Sequence, residues 1–389
     1  MTLAEALTQR GHDVRIANFA STFGGERRTS LGQISRSLPG IDVVSVPGSL
    51  VMRRILPIPG LRGVRVLCDS FRWADVIVFG QYYGFDLSVW ILSRIAGRPV
   101  VCSQSNALFR SHRGALRDAA QEGYARTIGW RVLRRCDAVR VGNLDDLKFL
   151  QAHGYSHGLL LYPMRGEFST AVRPQALPPP NDRLAEKLEA DVRFKVMTAG
   201  RMTHQKGVEV IAQLIRLLHA RRPEAHREIA FYFAGTADLP PEIERVRSES
   251  PELVVNLGVL PRAIFALFLM GSDVVLVPSL YESFGMIAAE AQSFGKPVIA
   301  TDITGLREVV TDGTSGILVR EWTAEAFLEA ILNLRTIWNS DSPRWEAMKA
   351  QAMINYQRVL GPDVQNAQFD GLLAELERLG KRSRDESSE

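Results

Sequence analysis

The sequence predicts an α/β protein built from two doubly wound parallel-sheet domains, and three observations carry that expectation. Short apolar segments of strand length alternate with helical stretches, once in the first half of the chain and again in the second. Between the two sets lies Pro174-Gln-Ala-Leu-Pro-Pro-Pro-Asn-Asp182, which can continue neither a helix nor a central strand. The third is local: the apolar segment Asp273-Val-Val-Leu-Val-Pro278 runs through a short loop with Gly285 into an alanine-rich helix, and a second apolar run, Pro297-Val-Ile-Ala300, follows. A strand that turns at a glycine into a helix presents free N–H groups and the positive end of the helix dipole, which suits a diphosphate.

The first set opens with the helical stretch from Leu3 to Gly11 and continues with strands at Asp13–Ala17, Ile41–Val46, Val76–Phe79, Pro99–Cys102 and Ala138–Val141. The second begins at Phe194-Lys-Val-Met197, where Gly200 follows a strand and Lys206-Gly207 opens a helix over Val208–Ala220. Phe231-Tyr-Phe-Ala-Gly235 is another strand-to-glycine turn. The chain is helical from about Ala324, and Phe369–Leu379 has the apolar spacing of a packed helix. The predicted domains are residues 1–170, a linker at 171–183, a second domain at 184–360, a closing helix at 361–380 and a polar tail at 381–389 expected to be disordered.

A chain of 389 residues, 46% hydrophobic and 23% charged, fits two globular domains. Cys68, Cys102 and Cys136 are widely spaced and show no C-x-x-C pattern, which points to a reducing, cytoplasmic setting. No apolar run approaches the roughly 18–20 residues of a membrane span, so membrane contact is expected to be peripheral. Residues 1–165 hold 22 Lys and Arg against 12 Asp and Glu, and 21 of those cations are arginine; the remainder has a net charge of −6. Clusters at Arg27/Arg28, Arg53/Arg54, Arg62/Arg65, Arg110/Arg113/Arg117 and Arg131/Arg134/Arg135 suit anionic lipid head groups or a phosphate-bearing acceptor, or are simply a solvated arginine-rich surface. No nucleic-acid partner is expected.

Within the strand–turn–helix, Glu282 sits in the loop and Glu290 about one turn inside the helix, so the two carboxylates can address different parts of one extended ligand. Upstream, Arg201 and Lys206 stand near a strand's carboxyl end, where a guanidinium and an ammonium can neutralise a diphosphate, and Gly200 and Gly207 let backbone approach it.

Taken together, Glu282-x7-Glu290, Gly295-Lys-Pro-Val-Ile-Ala-Thr-Asp302, Gly305 with Gly313-Thr-Ser-Gly-Ile-Leu-Val319, and Ala199-Gly-Arg-Met-Thr-His-Gln-Lys-Gly207 resemble the donor half of retaining, family 4 glycosyltransferases of the GT-B fold. The resemblance implies two Rossmann-like domains facing across a cleft. It implies a hexosyltransferase that moves a sugar from a UDP- or GDP-sugar to a glycan or lipid-linked acceptor, as in bacterial cell-surface polysaccharide synthesis. Glu282 would hold the donor sugar, with Arg201 and Lys206 on the diphosphate. Ser283, Phe284, Gly285 and Met286 would line the donor pocket and Glu290 would meet the ribose. Val254–Leu260, with Gly258, resembles the stretch whose backbone meets the base, and Asp302, Gly305 and Glu308 read as loop support.

The nucleotide diphosphate sugar is a co-substrate; no resident cofactor and no metal is expected, because the chain lacks Asp-x-Asp and clustered His/Cys ligands. Two departures from the family pattern stand out. The chain opens on a helix where the family begins with a strand, so the first domain is expected to lack its central first strand; Gly24-Gly25 comes too late to replace that loop. The loop Ser103–Arg113 lacks the family's histidine at its usual place, which leaves Gln104, Ser105 and Asn106 as neutral acceptor-side groups and His112 as a catalytic candidate. Leu161–Phe168 holds the place of the family's linker motif in altered form. Two other readings stay open: a catalytically impaired nucleotide-sugar-binding protein, and a GT-B-fold nucleotide-sugar epimerase.

Overall fold

Strands that are apolar along their whole length can be satisfied only inside a parallel sheet with helices on both faces. The computed structural model of the chain describes residues 3–19, 40–46, 60–80, 85–103, 119, 123–160, 188 and 190–388. It divides into two units, the first made of Met1–Arg110, Leu116–Gly166 and Gln365–Glu389, the second of Ser111–Ala115 and Glu167–Val364. The expected linker at 171–183 lies outside the described residues.

Unit 1 begins with α1 (Leu3–Gln9), which Gly11 ends at φ +85°, and β1 (Arg15–Phe19). There follow β2 (Asp42–Val46), α2 (Leu61–Trp73), β3 (Ile77–Gly80), α3 (Phe85–Ala96) and β4 (Val100–Ser103). A π-helical turn at Ala125–Gly129 leads into α4 (Trp130–Leu133), β5 (Ala138–Val141), α5 (Leu144–Ala152) and β6 (Gly158–Leu160). The Asn143 side chain caps α5 by accepting from the Asp146 N–H at 2.7 Å.

Its strands form two parallel sheets, β1–β2 and β3–β4–β5–β6, and among the described residues no ladder joins β1 to β3. The helix α2 bridges the split from one face: Leu67 and Phe71 pack in one cluster with Val46 of β2 and Ile77 and Phe79 of β3.

Unit 2 runs β7 (Phe194–Ala199), a 3₁₀ turn (His204–Lys206), α6 (Val208–Arg221), β8 (Ile229–Ala234), α7 (Pro241–Glu249), β9 (Val254–Gly258), α8 (Arg262–Gly271) and β10 (Val274–Val277). It continues with α9 (Met286–Ser293), β11 (Val298–Thr301), α10 (Leu306–Val309), β12 (Gly316–Val319), α11 (Ala324–Ser340) and α12 (Ser342–Leu360). Its six strands make one parallel sheet in the order β12-β11-β10-β7-β8-β9. Every residue of β8 is buried, and Phe194, Phe231, Phe233, Leu214 and Phe327 fill the core.

At the amino edge of this sheet, Asp191 ties the entry of β7 to β8. It accepts from Arg193 Nε at 2.8 Å and from the Tyr232 hydroxyl at 2.5 Å, while Arg193 Nη1 donates to the Glu252 carbonyl at 2.7 Å. Burial alone would raise the Asp191 carboxyl, but the hydrogen bonds from Arg193 and Tyr232 outweigh it and bring the pKa from 3.8 to about 2. A depressed carboxyl stabilises the fold fully above its unfolded pKa, and that contribution is lost as pH falls through the folded one. In thermal melts, Tm is therefore expected to fall more steeply between pH 4 and pH 2 in the wild type than in Asp191→Asn; parallel slopes would show that the site is not coupled to folding.

The last helix, α13 (Pro362–Ser388), has proline at its first position, where a missing N–H costs nothing. Leu372, Leu376 and Leu379 pack on Val101 of β4 and Ala138 of β5, and Arg10 pairs with Asp370. One expectation is corrected here: residues 381–388 are not a disordered tail but the end of this helix. Ser383 is buried and accepts from Arg98 Nη1 at 2.9 Å, so the polar tail finds partners on unit 1.

Candidate functional site

In a parallel sheet the strands' carboxyl ends lie on one edge, and in unit 2 that edge gathers the glycines and charged groups singled out in the sequence. Gly200 at the end of β7, Gly235 at the end of β8 and Gly258 at the end of β9 all have positive φ. Gly235 N–H donates to the Gly258 carbonyl at 2.8 Å, and Gly200 N–H to the Ala234 carbonyl at 3.0 Å. A Cβ on Gly235 would lie 2.8 Å from the Gly200 carbonyl oxygen, so only bare backbone fits there. Arg201, next to Gly200, is exposed and makes no ion pair among the described residues.

The 3₁₀ turn His204–Lys206 ends at Gly207, whose φ of +76° starts α6. Gly207 lies against the Pro278 carbonyl at the end of β10, and a Cβ there would overlap that oxygen. The same carbonyl accepts from Trp322 Nε1 at 2.8 Å, and the Leu280 N–H donates to the Gln205 carbonyl at 2.9 Å. These contacts lay the turn carrying Lys206 beside the loop carrying Glu282. The Lys206 ammonium pairs with Glu282 Oε1, which also accepts from the Ser279 hydroxyl at 2.9 Å. The Glu282 side chain is 11% exposed and that of Lys206 29%, so the pair sits partly out of water at the sheet's edge.

After Glu282 the loop bends into α9. Gly285, at φ +79°, is its N-cap and supplies no side-chain capping hydrogen bond. Gly305 fits beneath the loop: a Cβ on it would come within 2.6 Å of the Glu282 carbonyl oxygen and 2.9 Å of the Phe284 nitrogen. Phe284 is 1% exposed, so only its backbone can meet a ligand. Ser283 and Met286 are half-buried, while Glu290 is buried one turn into α9. Asp302 accepts from Arg307 Nε at 2.5 Å.

The structure thus brings together Lys206, Gly207, Glu282 and Gly285, and lines up Gly200, Arg201 and Gly258 along the same edge. Gln104, Ser105, Asn106 and His112 lie outside the described residues. Sequence reasoning missed Ser279 and Trp322: the serine meets Glu282 within its own loop, where residue type alone does not show the bond, and the tryptophan meets Pro278, 44 residues away, with no local signal of that partner. Among the described residues, no cluster of three or more His, Cys, Asp or Glu is placed to hold a metal ion.

A negatively polarised edge would repel phosphate; this one offers a cation pair, bare helix N–H groups and glycine-lined backbone, which together can hold a diphosphate and the hydroxyls of an attached group. The family described as glycosyl transferases group 1 matches residues 193–336, from the start of β7 into α11. The D-inositol 3-phosphate glycosyltransferase of Jonesia denitrificans is 29% identical over 353 residues, 82% of this chain and 77% of its own length. That of Paenarthrobacter aurescens is 33% identical over 128 residues, 32% of this chain and 31% of its own. The match to four such relatives spans only 30% to 40% of their length. A crystal structure of Anabaena Alr3699/HepE in complex with UDP superposes with a TM-score of 0.71 at 17% identity, covering 96% of this chain and 94% of that one, a likeness of fold.

Proposed function

We propose, from the match of residues 193–336 to the glycosyl transferases group 1 family and from a fold of the GT-B class, that the protein is a retaining glycosyltransferase acting on a nucleotide diphosphate sugar. One observation carries the reading: a carboxylate, Glu282, is held by Lys206 and Ser279 beside the open N-terminus of α9. The helix N–H groups, Lys206 and Arg201 take the diphosphate, and Glu282 takes hydroxyls of the sugar. Glu290 serves the ribose, and the backbone at Gly258 the base.

In the proposed step the bond from the anomeric carbon to the diphosphate oxygen breaks while the acceptor oxygen bonds to that carbon from the same face. The acceptor's hydroxyl proton passes to the leaving diphosphate oxygen. Charge develops on that oxygen, where Arg201, Lys206 and the helix dipole stand.

The acceptor is proposed to be a glycan or a lipid-linked glycan in cell-surface polysaccharide synthesis, met by a cytoplasmic protein at the inner face of a membrane. No helix among the described residues is long and apolar enough to cross a membrane. On unit 1, Ile91 and Ile95 of α3 are exposed, Ile95 at 76%, as are Arg131, Arg134 and Arg135, and the guanidinium groups of Arg94 and Arg135 lie over the Trp90 ring. Exposed apolar side chains and arginines on one unit support contact with anionic head groups.

The test is nucleotide release from UDP-, GDP- and ADP-sugars with a lipid extract as acceptor source, and co-sedimentation with phosphatidylglycerol vesicles at low salt. Release with one donor, lost in Glu282→Ala, is expected. Nucleotide binding without release would leave a donor-binding protein in place of the transferase. Failure to sediment with anionic vesicles would remove the membrane contact alone.

A further inference from the structure

Three polar side chains of unit 2, Gln292, Ser315 and Asn355, are at most 1% exposed. They come from α9, the turn before β12 and α12, and they form one network. Asn355 Nδ2 donates to Gln292 Oε1 at 2.9 Å and to the Val309 carbonyl. Its Oδ1 accepts from Thr311 Oγ1 at 3.2 Å and from Arg358 Nη2 at 2.6 Å. Gln292 Nε2 donates to Ser315 Oγ at 2.9 Å, which itself accepts from the Thr311 N–H at 2.8 Å. Both donors of the Asn355 amide and its acceptor are thus satisfied inside the core, the condition under which a buried amide fixes one arrangement.

The two helices that Asn355 joins also meet at their other ends, at the site. Gln292 lies in the last turn of α9, and Val309 is the last residue of α10. At their starts, a Cβ on Gly285 would lie 2.5 Å from Leu306 Cδ2, and Gly305 fits beneath Glu282. Apart from Gln292 and Glu290, the buried face of α9 is alanine: Ala288, Ala289 and Ala291. An alanine face packs closely but offers few interlocking side chains, so apolar contact alone leaves the rotation and slide of α9 weakly set. A single buried amide is a known means of fixing register between packed helices.

We propose that Asn355 is a positioning residue of the donor site. It touches no ligand; through Gln292 and the Val309 carbonyl it holds α9 and α10 in register, so that the N–H groups at Met286 and the Glu282 loop stand where a diphosphate needs them. The proposal rests on the reading of α9 as the diphosphate site.

The experiment compares calorimetric affinities for UDP, GDP and ADP with those for UMP, GMP and AMP, well below the melting temperature, in the wild type and in Asn355→Leu. With the base that the wild type binds, Asn355→Leu is expected to lose about tenfold or more in diphosphate affinity while monophosphate affinity stays within about twofold, a gap of ~1.4 kcal/mol. A merely structural role lowers Tm, because partners are left unsatisfied, but leaves the diphosphate-to-monophosphate ratio of the folded protein unchanged. That ratio unchanged in a folded Asn355→Leu overturns the proposal. Should Asn355→Leu fail to fold, Gln292→Met, which keeps the volume on α9 and removes the bond, is read in the same way. Were the wild type itself to show no preference for diphosphates, the donor-site reading would fall first, and the positioning role with it.

Discussion

Glu282→Ala is expected to lower sugar transfer by about a hundredfold or more, the scale on which one preorganised group in a transition-state site is worth having. The carboxylate is 11% exposed and held at Oε1 by Lys206 and Ser279, so in the proposed role it would meet the sugar in one orientation without reorganising. Its removal leaves Lys206 with a 29% exposed side chain that water can reach, so Tm should fall by only a few degrees. Glu282→Gln keeps the shape and the Ser279 bond but loses the charge that holds the ammonium, and should be nearly as inactive. The decisive reading is kcat at saturating donor beside Tm: a full kcat with Glu282→Ala would remove this residue from the reaction.

Gly207→Ala should damage stability and donor binding together. The residue has φ +76°, and a Cβ would overlap the Pro278 carbonyl oxygen, so the 3₁₀ turn and the end of β10 must separate. The strain and the overlap together should cost roughly 1–3 kcal/mol, and the separation moves Lys206 away from Glu282. Gly313→Ala is the matched control, since its φ is +73° with nothing within 4 Å of the added atom. Both variants should lose stability through φ, but only Gly207→Ala should lose nucleotide diphosphate affinity. Equal Kd values for the two would show that the turn does not place the site.

Much of unit 2 was legible because its signals are local. The apolar runs of β7, β8 and β9 each end at a glycine, and Gly200, Gly207, Gly235, Gly258 and Gly285 all take the positive φ that the turn or helix start demands. The helix start at Met286 follows from the same few residues. What lay far apart in sequence was not legible. Lys206 and Glu282 are 76 residues apart, and nothing in either neighbourhood says that the cation of one loop neutralises the carboxylate of the next. That the Phe284 side chain is buried, leaving only its backbone to face a ligand, was not legible either, because the face of a loop residue is set by what packs on it. The tail at 381–388 read as solvated, since its composition is polar and its partners Arg98 and Asp137 stand just before β4 and β5, Arg98 being 285 residues from Ser383.

Asn355 marks the division most clearly. In sequence it is an ordinary polar residue on a helix, Met353-Ile-Asn-Tyr356, and the apolar Met353 and Ile354 beside it are the exposed ones, at 48% and 59%. Backbone conformation and strand or helix type are decided within a few residues, by φ preference, side-chain period and caps, so the sequence by itself determined the two parallel-sheet units and the strand–turn–helix at 274–293. Which side of a helix faces the core, and which distant amide, cation or carboxylate it meets there, depends on desolvation in the assembled sheet, and only the tertiary structure decided it.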